Sequence, residues 1–133
     1  MNNQPILNFN EFAKFYDEWR MKSIFYKKFE YNTVKYIITD LLNMTQERNS
    51  ILDIGCGTGI WLDNLSEFLE IKYALGIDNS EKMIMKAIDN NRFKSNNINY
   101  DINDCRELMN TNYYNKKFDL IISALSIDYI GLN

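Results

Sequence analysis

The stretch "ILDIGCGTGIWL", Ile51 to Leu62, decides the fold of this chain. "ILDI" is short and isoleucine-rich, and it stops at a glycine loop, which suits a buried strand. Gly55, Gly57 and Gly59 then leave the backbone bare over five positions. From there "GIWLDNLSEFL" places Trp61, Leu65, Phe68 and Leu69 on one predicted helix face. A glycine-rich turn between strand and helix lets a ligand approach the main chain closely, and the helix N-terminus adds partial positive charge.

Working outward, the same alternation repeats. "KYALGID" is predicted as a second strand, and "SEKMIMKAIDN" as a helix with Ser80 as N-cap and Ile84, Ala87 and Ile88 turned inward. "NINYDIND" follows as a third strand, "CRELMN" as a short helix and "FDLIISALSI" as a fourth strand. Upstream lie two more helices. In "EFAKFYDEW", with Asn10 as N-cap, Phe12, Phe15, Tyr16 and Trp19 form a predicted core-facing aromatic stripe. In "NTVKYIITDLLNM", Val34, Ile37, Ile38, Leu41 and Leu42 form one apolar face. Alternating strands and helices imply an α/β, doubly wound, Rossmann-like, mostly parallel sheet behind two leading helices.

The bulk composition narrows the partners. Across 133 residues, 15 basic and 18 acidic side chains are mixed, for a net charge of −3, so no basic footprint marks a nucleic-acid or anionic-lipid partner. There is no histidine, the commonest metal ligand and general base, and no metal site is expected. The two cysteines, Cys56 and Cys105, lie far apart, in keeping with reduced thiols in a cytoplasm. No signal peptide is visible at "MNNQPILNFN", and no apolar run approaches the roughly 18 residues of a membrane helix, so a soluble, cytoplasmic protein is expected.

The loop discriminates between ligands. A dinucleotide site wants G-x-G-x-x-G, and here the third glycine, Gly59, comes one residue too early. Asp53 sits at the strand end, where a carboxylate would repel a pyrophosphate at short range. A cationic ligand without phosphates meets no such repulsion.

These residues resemble a known family. "ILDIGCGTGI" is similar to the first motif of class I S-adenosylmethionine (SAM)-dependent methyltransferases, and "ALGIDNSEKMI" to their second. "NINYDINDCREL" and "FDLIISALSIDYI" resemble the third and fourth motif regions, in the usual order, so the likeness covers about residues 10–133. It implies SAM as cofactor, with Gly55, Cys56, Gly57 and Gly59 lining its methionine and ribose portion and Asp53 near the amino-acid end. Asp78 would accept from both ribose hydroxyls, a role one carboxylate can fill, although it could instead cap the helix beginning near Ser80. Asn79 and Met83 would flank the adenine. Asp104 would accept from its amino group beside the Cys105 backbone, unless a register slip exchanges it with Asp101. Ser123 and Ala124 would face the methionine part, and Tyr16 belongs to a helix that in relatives closes over the cofactor. Cys56 and Cys105 are expected as small residues near the ligand, since nothing basic is placed to lower a thiol pKa.

Methyl transfer from a sulfonium needs orientation and desolvation more than a base. Asp128, after the fourth strand, is the catalytic candidate, with capping or solvent exposure as the competing reading. "SALSIDY" has neither the Asn-Pro-Pro-Tyr-type sequence nor the Pro-Cys pair of nucleic-acid methylating relatives, so a small-molecule acceptor is expected. Residues 1–48 are expected as a helical cap over the cofactor, and 49–133 as a SAM-binding domain truncated after its fourth strand. That strand carries apolar residues on both faces, Leu120, Ile121, Ile122, Ala124, Leu125 and Ile127, as an interior strand does, so an exposed edge there invites self-association or a partner chain. A methyltransferase fragment, half of a split enzyme, and a non-catalytic SAM-binding or interaction module all remain open.

Overall fold

The computed structural model describes residues 8–43, 50–67, 69–91, 95–113, 115–124 and 126. Its elements run α1 (Phe9–Lys22), a π-helical turn (Tyr26–Glu30), α2 (Tyr31–Asn43), β1 (Ser50–Ile54), α3 (Ile60–Ser66), β2 (Tyr73–Asp78), α4 (Glu81–Asn91), β3 (Ile98–Ile102), a 3-10 helix (Cys105–Asn110) and β4 (Leu120–Ile122). The strands form one sheet in the order β3-β2-β1-β4, and every pairing is parallel. This is the doubly wound arrangement expected of the sequence. The strand order reverses between β1 and β4, and open α/β sheets bind ligands at the strand ends beside such a reversal.

Alternation along the strands separates two faces. Ile51 and Ala74 pack with Ile98, Leu62 and Leu65 of α3 and Ile38 of α2 in one buried cluster, with Tyr100, Leu120 and Ile122 against it. Leu52, Leu75 and Ile77 form the opposite cluster, packed by Cys105, Leu108, Tyr113 and Phe118. The register sets Asp53 opposite Gly76 and Gly76 opposite Tyr100, so these three lie in one row across the sheet.

Several local expectations are corrected. Asn8, not Asn10, caps α1, its side chain accepting from the Asn10 N–H. The Asn10 side chain instead accepts from Ser80 Oγ at 2.8 Å and from the Lys82 N–H at 3.2 Å. The aromatic stripe of α1 does not face the core. Phe15 and Trp19 are more than half exposed, and the buried positions of the helix are Ala13 and Arg20. Arg20 is held there by an ion pair with Glu30 of the π-helical turn. Ile37 and Ile88, expected inward, are exposed, whereas Ile38, Ile84 and Ala87 are buried. Helix α3 stops at Ser66, short of Phe68, which lies outside the described residues. Strand β4 spans Leu120–Ile122, and its Ile121 side chain is 59% exposed, so its outer face is uncovered among the described residues. Leu125 and Ile127 lie outside the described residues.

Candidate functional site

The glycine loop takes its shape from left-handed backbone at Gly55, Gly57 and Gly59, with φ of 71°, 55° and 79°. Side chains other than glycine rarely adopt that conformation. Two main-chain bonds tie the loop to β2, the N–H groups of Gly55 and Cys56 donating to the Ile77 carbonyl at 2.8 and 3.0 Å. Tyr100 fills the space beneath, where a Cβ on Gly76 would sit 2.7 Å from its Cδ1 and 2.9 Å from Cys56 Sγ. A Cβ on Gly59 would overlap the Tyr100 hydroxyl. The sheet therefore needs Gly76, and the loop Gly59, for one tyrosine to support both.

Above the loop lies an open pocket whose empty space, mouth included, is about 710 Å³. Gly55 and Gly57 form its base, and Asp78 and Asn79 close the β2 side. Buried Met83 backs it from α4, Asp104 and Cys105 follow β3, and Ala124 follows β4. Tyr16 covers Gly57 from α1. Elements from four strand ends and α1 thus bring together eight of the residues singled out in the sequence: Tyr16, Gly55, Gly57, Asp78, Asn79, Met83, Asp104 and Ala124, with Cys105 as a ninth.

Asp78 is the fixed acid of the pocket. Its Oδ2 accepts from the Gly57 N–H at 2.9 Å and its Oδ1 from the Ser80 N–H at 2.8 Å. Burial raises its pKa, and these two N–H groups pull it back down. Each oxygen keeps a second acceptor site. Both readings of this residue therefore coexist: it orders the turn into α4, where Ser80 Oγ accepts from the Met83 N–H as the cap, and it still presents acceptors to the pocket.

Asp53, Cys56, Gly59 and Ser123 are not on the pocket wall. Asp53 is 1% exposed behind the loop, and neither carboxylate oxygen accepts a hydrogen bond among the described residues. Burial first, and the charge of Asp78 second, push its pKa to about 8. The expected electrostatic screen at residue 53 is corrected accordingly. Burial favours the protonated form of Asp53 behind the loop, and Asp78 is the carboxyl that lines the pocket. Cys56 is buried against Gly76 and Tyr100, and burial raises its thiol pKa well above the usual value. Burial also raises that of Cys105, so neither thiol has thiolate character. Ser123 Oγ shares a hydrogen bond with Ser126 Oγ instead of facing the cavity. Asp104 is held below the usual carboxylate range, chiefly by hydrogen bonds from the Arg106 side chain and then its N–H. Its Oδ1 accepts from Arg106 Nε and from the Arg106 N–H, both at 2.9 Å, and caps the 3-10 helix. Asp128 lies outside the described residues.

Five wall residues were not anticipated: Phe9, Ile77, Asn103, Arg106 and Ser126. Ser126 had a readable signal, since a hydroxyl just beyond a strand end can reach a loop; here its Oγ donates to the Ile54 carbonyl at 2.9 Å. Phe9 and Arg106 had none, because their positions depend on how α1 and the 3-10 helix pack. Among the described residues no group of three or more His, Cys, Asp or Glu side chains could hold a metal ion. Among them, too, no helix is long and apolar enough to cross a membrane.

Fold and pocket together define a doubly wound α/β domain with a cleft at the ends of its parallel strands. Residues 51–132 match the family model described as "Methyltransferase domain", and the chain belongs to that family. It is 31% identical over 100 residues to a ribosomal protein L11 methyltransferase of Thermosipho melanesiensis, which covers 75% of this chain and 36% of that protein. Among solved structures, an S-adenosylmethionine-dependent methyltransferase from Clostridium acetobutylicum is 28% identical with a TM-score of 0.58, covering 90% of this chain and 44% of that one. The plantazolicin methyltransferase BamL, solved with a triazolic desmethylPZN analog and SAH, is 26% identical with a TM-score of 0.61, covering 84% of this chain and 38% of that one. The chain thus spans well under half the length of these relatives.

Proposed function

We propose that the pocket binds S-adenosyl-L-methionine and that the protein transfers its methyl group to a nucleophilic acceptor, a small molecule. The observation that carries the reading is Asp78: a carboxylate fixed by Gly57 and Ser80, facing the cavity at the end of β2, with one acceptor site left on each oxygen for a ribose diol. The bare backbone of Gly55 and Gly57 accommodates the chain of the cofactor beneath Tyr16. Met83 and Asn79 offer one apolar and one polar contact to a purine, and Asp104, kept ionised by Arg106, can only accept, as an exocyclic amino group requires. Ala124 bounds the side expected for the methionine portion.

Bound SAM supplies an electrophilic methyl on a sulfonium. The contribution of these residues is to bind and orient it and to keep water from the reacting centre. Support for a small acceptor comes from the charge balance and from the likeness to a methyltransferase solved with a triazolic compound. The likeness to a ribosomal protein methylating enzyme points to a protein acceptor as the competitor. A cytoplasmic location fits the two free cysteines.

A second reading, in which this chain is the cofactor-binding half of a split enzyme or a non-catalytic module, is favoured by one observation. Ile121 is exposed on a strand that, among the described residues, pairs with β1 alone, an edge that a partner chain or a second copy can cover.

Thermal unfolding with SAH, SAM or NADH tests the site. A native-state ligand at 100 times its Kd adds about 2.7 kcal/mol, so SAM and SAH should raise Tm by several degrees and NADH should not. Asp78→Ala should abolish the shift. A shift with NADH alone, or an undiminished SAH shift in Asp78→Ala, refutes the assignment.

A further inference from the structure

Helix α1 supplies Phe9 and Tyr16 to the pocket, yet apolar burial does little to hold it there. Ala13 is its one buried apolar residue, while Phe15 and Trp19 face solvent. Beside the bonds of Asn10 to Ser80 and Lys82 and the Arg20–Glu30 ion pair, a second set of polar contacts converges on Asp17. Oδ1 accepts from Thr58 Oγ1, and Oδ2 accepts from Asn90 Nδ2 at 3.1 Å and pairs with Lys86 Nζ at 3.2 Å. The partners are cross-braced: Asn90 Nδ2 also donates to the Thr58 carbonyl at 3.2 Å, and Lys86 Nζ to the Ala13 carbonyl at 3.0 Å. One carboxylate therefore joins α1, α4 and the glycine loop.

The loop partner is the telling one. Thr58 is 1% exposed and stands between Gly57, on the pocket wall, and Gly59, over Tyr100. Asp17 follows directly on Tyr16, whose ring lies 3.8 Å from where a Gly57 Cβ would be. Any shift of the loop that breaks the Thr58 bond loosens Tyr16, and any lifting of α1 frees the loop. Bonds to a carboxylate are roughly twice as strong as neutral ones, and a partly buried cluster is screened less than a surface pair.

We propose that Asp17 is a positioning residue of the pocket, latching α1 to the glycine loop through Thr58 so that Tyr16 and Phe9 form the outer wall. The ligand arm of its test rests on the reading of the pocket as a SAM site; the ligand-free arm does not.

The test uses Asp17→Asn, Thr58→Val and the double variant, with Thr58→Ser as the variant that keeps the hydroxyl. Asp17→Asn preserves shape but turns an amide N–H₂ toward donors, and Thr58→Val removes the donor alone. By calorimetry each single change is expected to raise the Kd for SAH about tenfold, with the double variant no weaker than the worse single, because residues sharing one interaction are non-additive. Thr58→Ser should keep the wild-type Kd. By hydrogen exchange of the ligand-free proteins, amides of residues 9–22 should exchange at least about tenfold faster in Asp17→Asn and Thr58→Val, with β1 and β2 unchanged, whereas a general loss of stability would speed all of them. Additive effects of about a hundredfold on Kd, or unchanged exchange in α1, overturn the latch. If the wild-type chain binds no SAH, the SAM reading falls, and the exchange arm still decides the latch.

Discussion

Replacing Asp53 with asparagine probes the floor of the pocket. The carboxyl is 1% exposed, accepts no hydrogen bond among the described residues, and has its pKa pushed from 3.8 to about 8. Between those two values the unfolded chain has lost this proton and the folded chain keeps it. The folded state then binds more protons, so the contribution of Asp53 to stability is fully present below about pH 4 and is lost as pH rises toward 8. At pH 7 the gap from the unfolded value is roughly three pK units at about 1.36 kcal/mol each, a cost of about 4 kcal/mol. At pH 5 the same arithmetic gives about 2 kcal/mol. Asparagine never ionises, but its amide carries donors with no evident acceptor, a penalty of about 1–3 kcal/mol at any pH.

The desolvated charge therefore outweighs the amide at neutral pH and not at pH 5. In urea unfolding between pH 5 and 7, the stability of Asp53→Asn relative to wild type should rise with pH by about 2–3 kcal/mol, from near parity or slight loss at pH 5 to a net gain at pH 7. Taking the difference cancels every carboxylate common to both proteins. A difference flat with pH, or falling toward pH 7, refutes the buried, unpartnered state assigned to Asp53. A linked result follows from the proposed cofactor. A sulfonium nearby favours the ionised form, so SAM should release more protons on binding than SAH, which calorimetry in two buffers of different ionisation enthalpy measures.

Gly76→Ala places a methyl 2.7 Å from Tyr100 Cδ1 in ordinary extended backbone, so its cost is overpacking, about 1–3 kcal/mol. Tyr100→Leu in the same protein should recover part of that loss in urea unfolding, and no loss in Gly76→Ala would show that Tyr100 does not fill this space. Ile121→Lys puts a charge on the exposed edge strand, where a surface change alone costs within about 0.5 kcal/mol. If the edge pairs copies of the chain, sedimentation should show a wild-type assembly that Ile121→Lys dissociates, and an assembly unaffected by it would exclude this edge as the interface.

The sheet was legible because its signals are local: short apolar runs ending near a glycine or an acid, the first three each followed by a helix start. The leading helices were less so. Periodicity shows that Phe12, Phe15, Tyr16 and Trp19 share a face but not what that face meets, and here Ala13 and Arg20 take the inner side. The buried arginine pairs with Glu30, ten positions on in a π-helical turn that leaves no pattern in the sequence, and lies over the rings of Tyr16 and Tyr26. The cap expected at Asn10 is taken by Asn8, and the Asn10 side chain makes a tertiary bond with Ser80 instead.

The two acids at the strand ends show why site residues are harder to read than strands. Asp53 and Asp78 each close or nearly close an apolar run before a loop; the family resemblance gives them different roles, but strand patterning alone does not rank them. Register does. Asp53 pairs with Gly76, so Asp78 stands two residues further along a neighbouring strand, about 6–7 Å beyond Asp53 at the rise of an extended chain. That distance carries Asp78 past the end of β1, into the row it shares only with Ile102 of β3, where Gly57 and Ser80 fix it at the cleft. It leaves Asp53 in the row of Gly76 and Tyr100, beneath the loop. A ligand approaching the glycines therefore meets the charge of Asp78 directly, and Asp53 only through the proton it gives up.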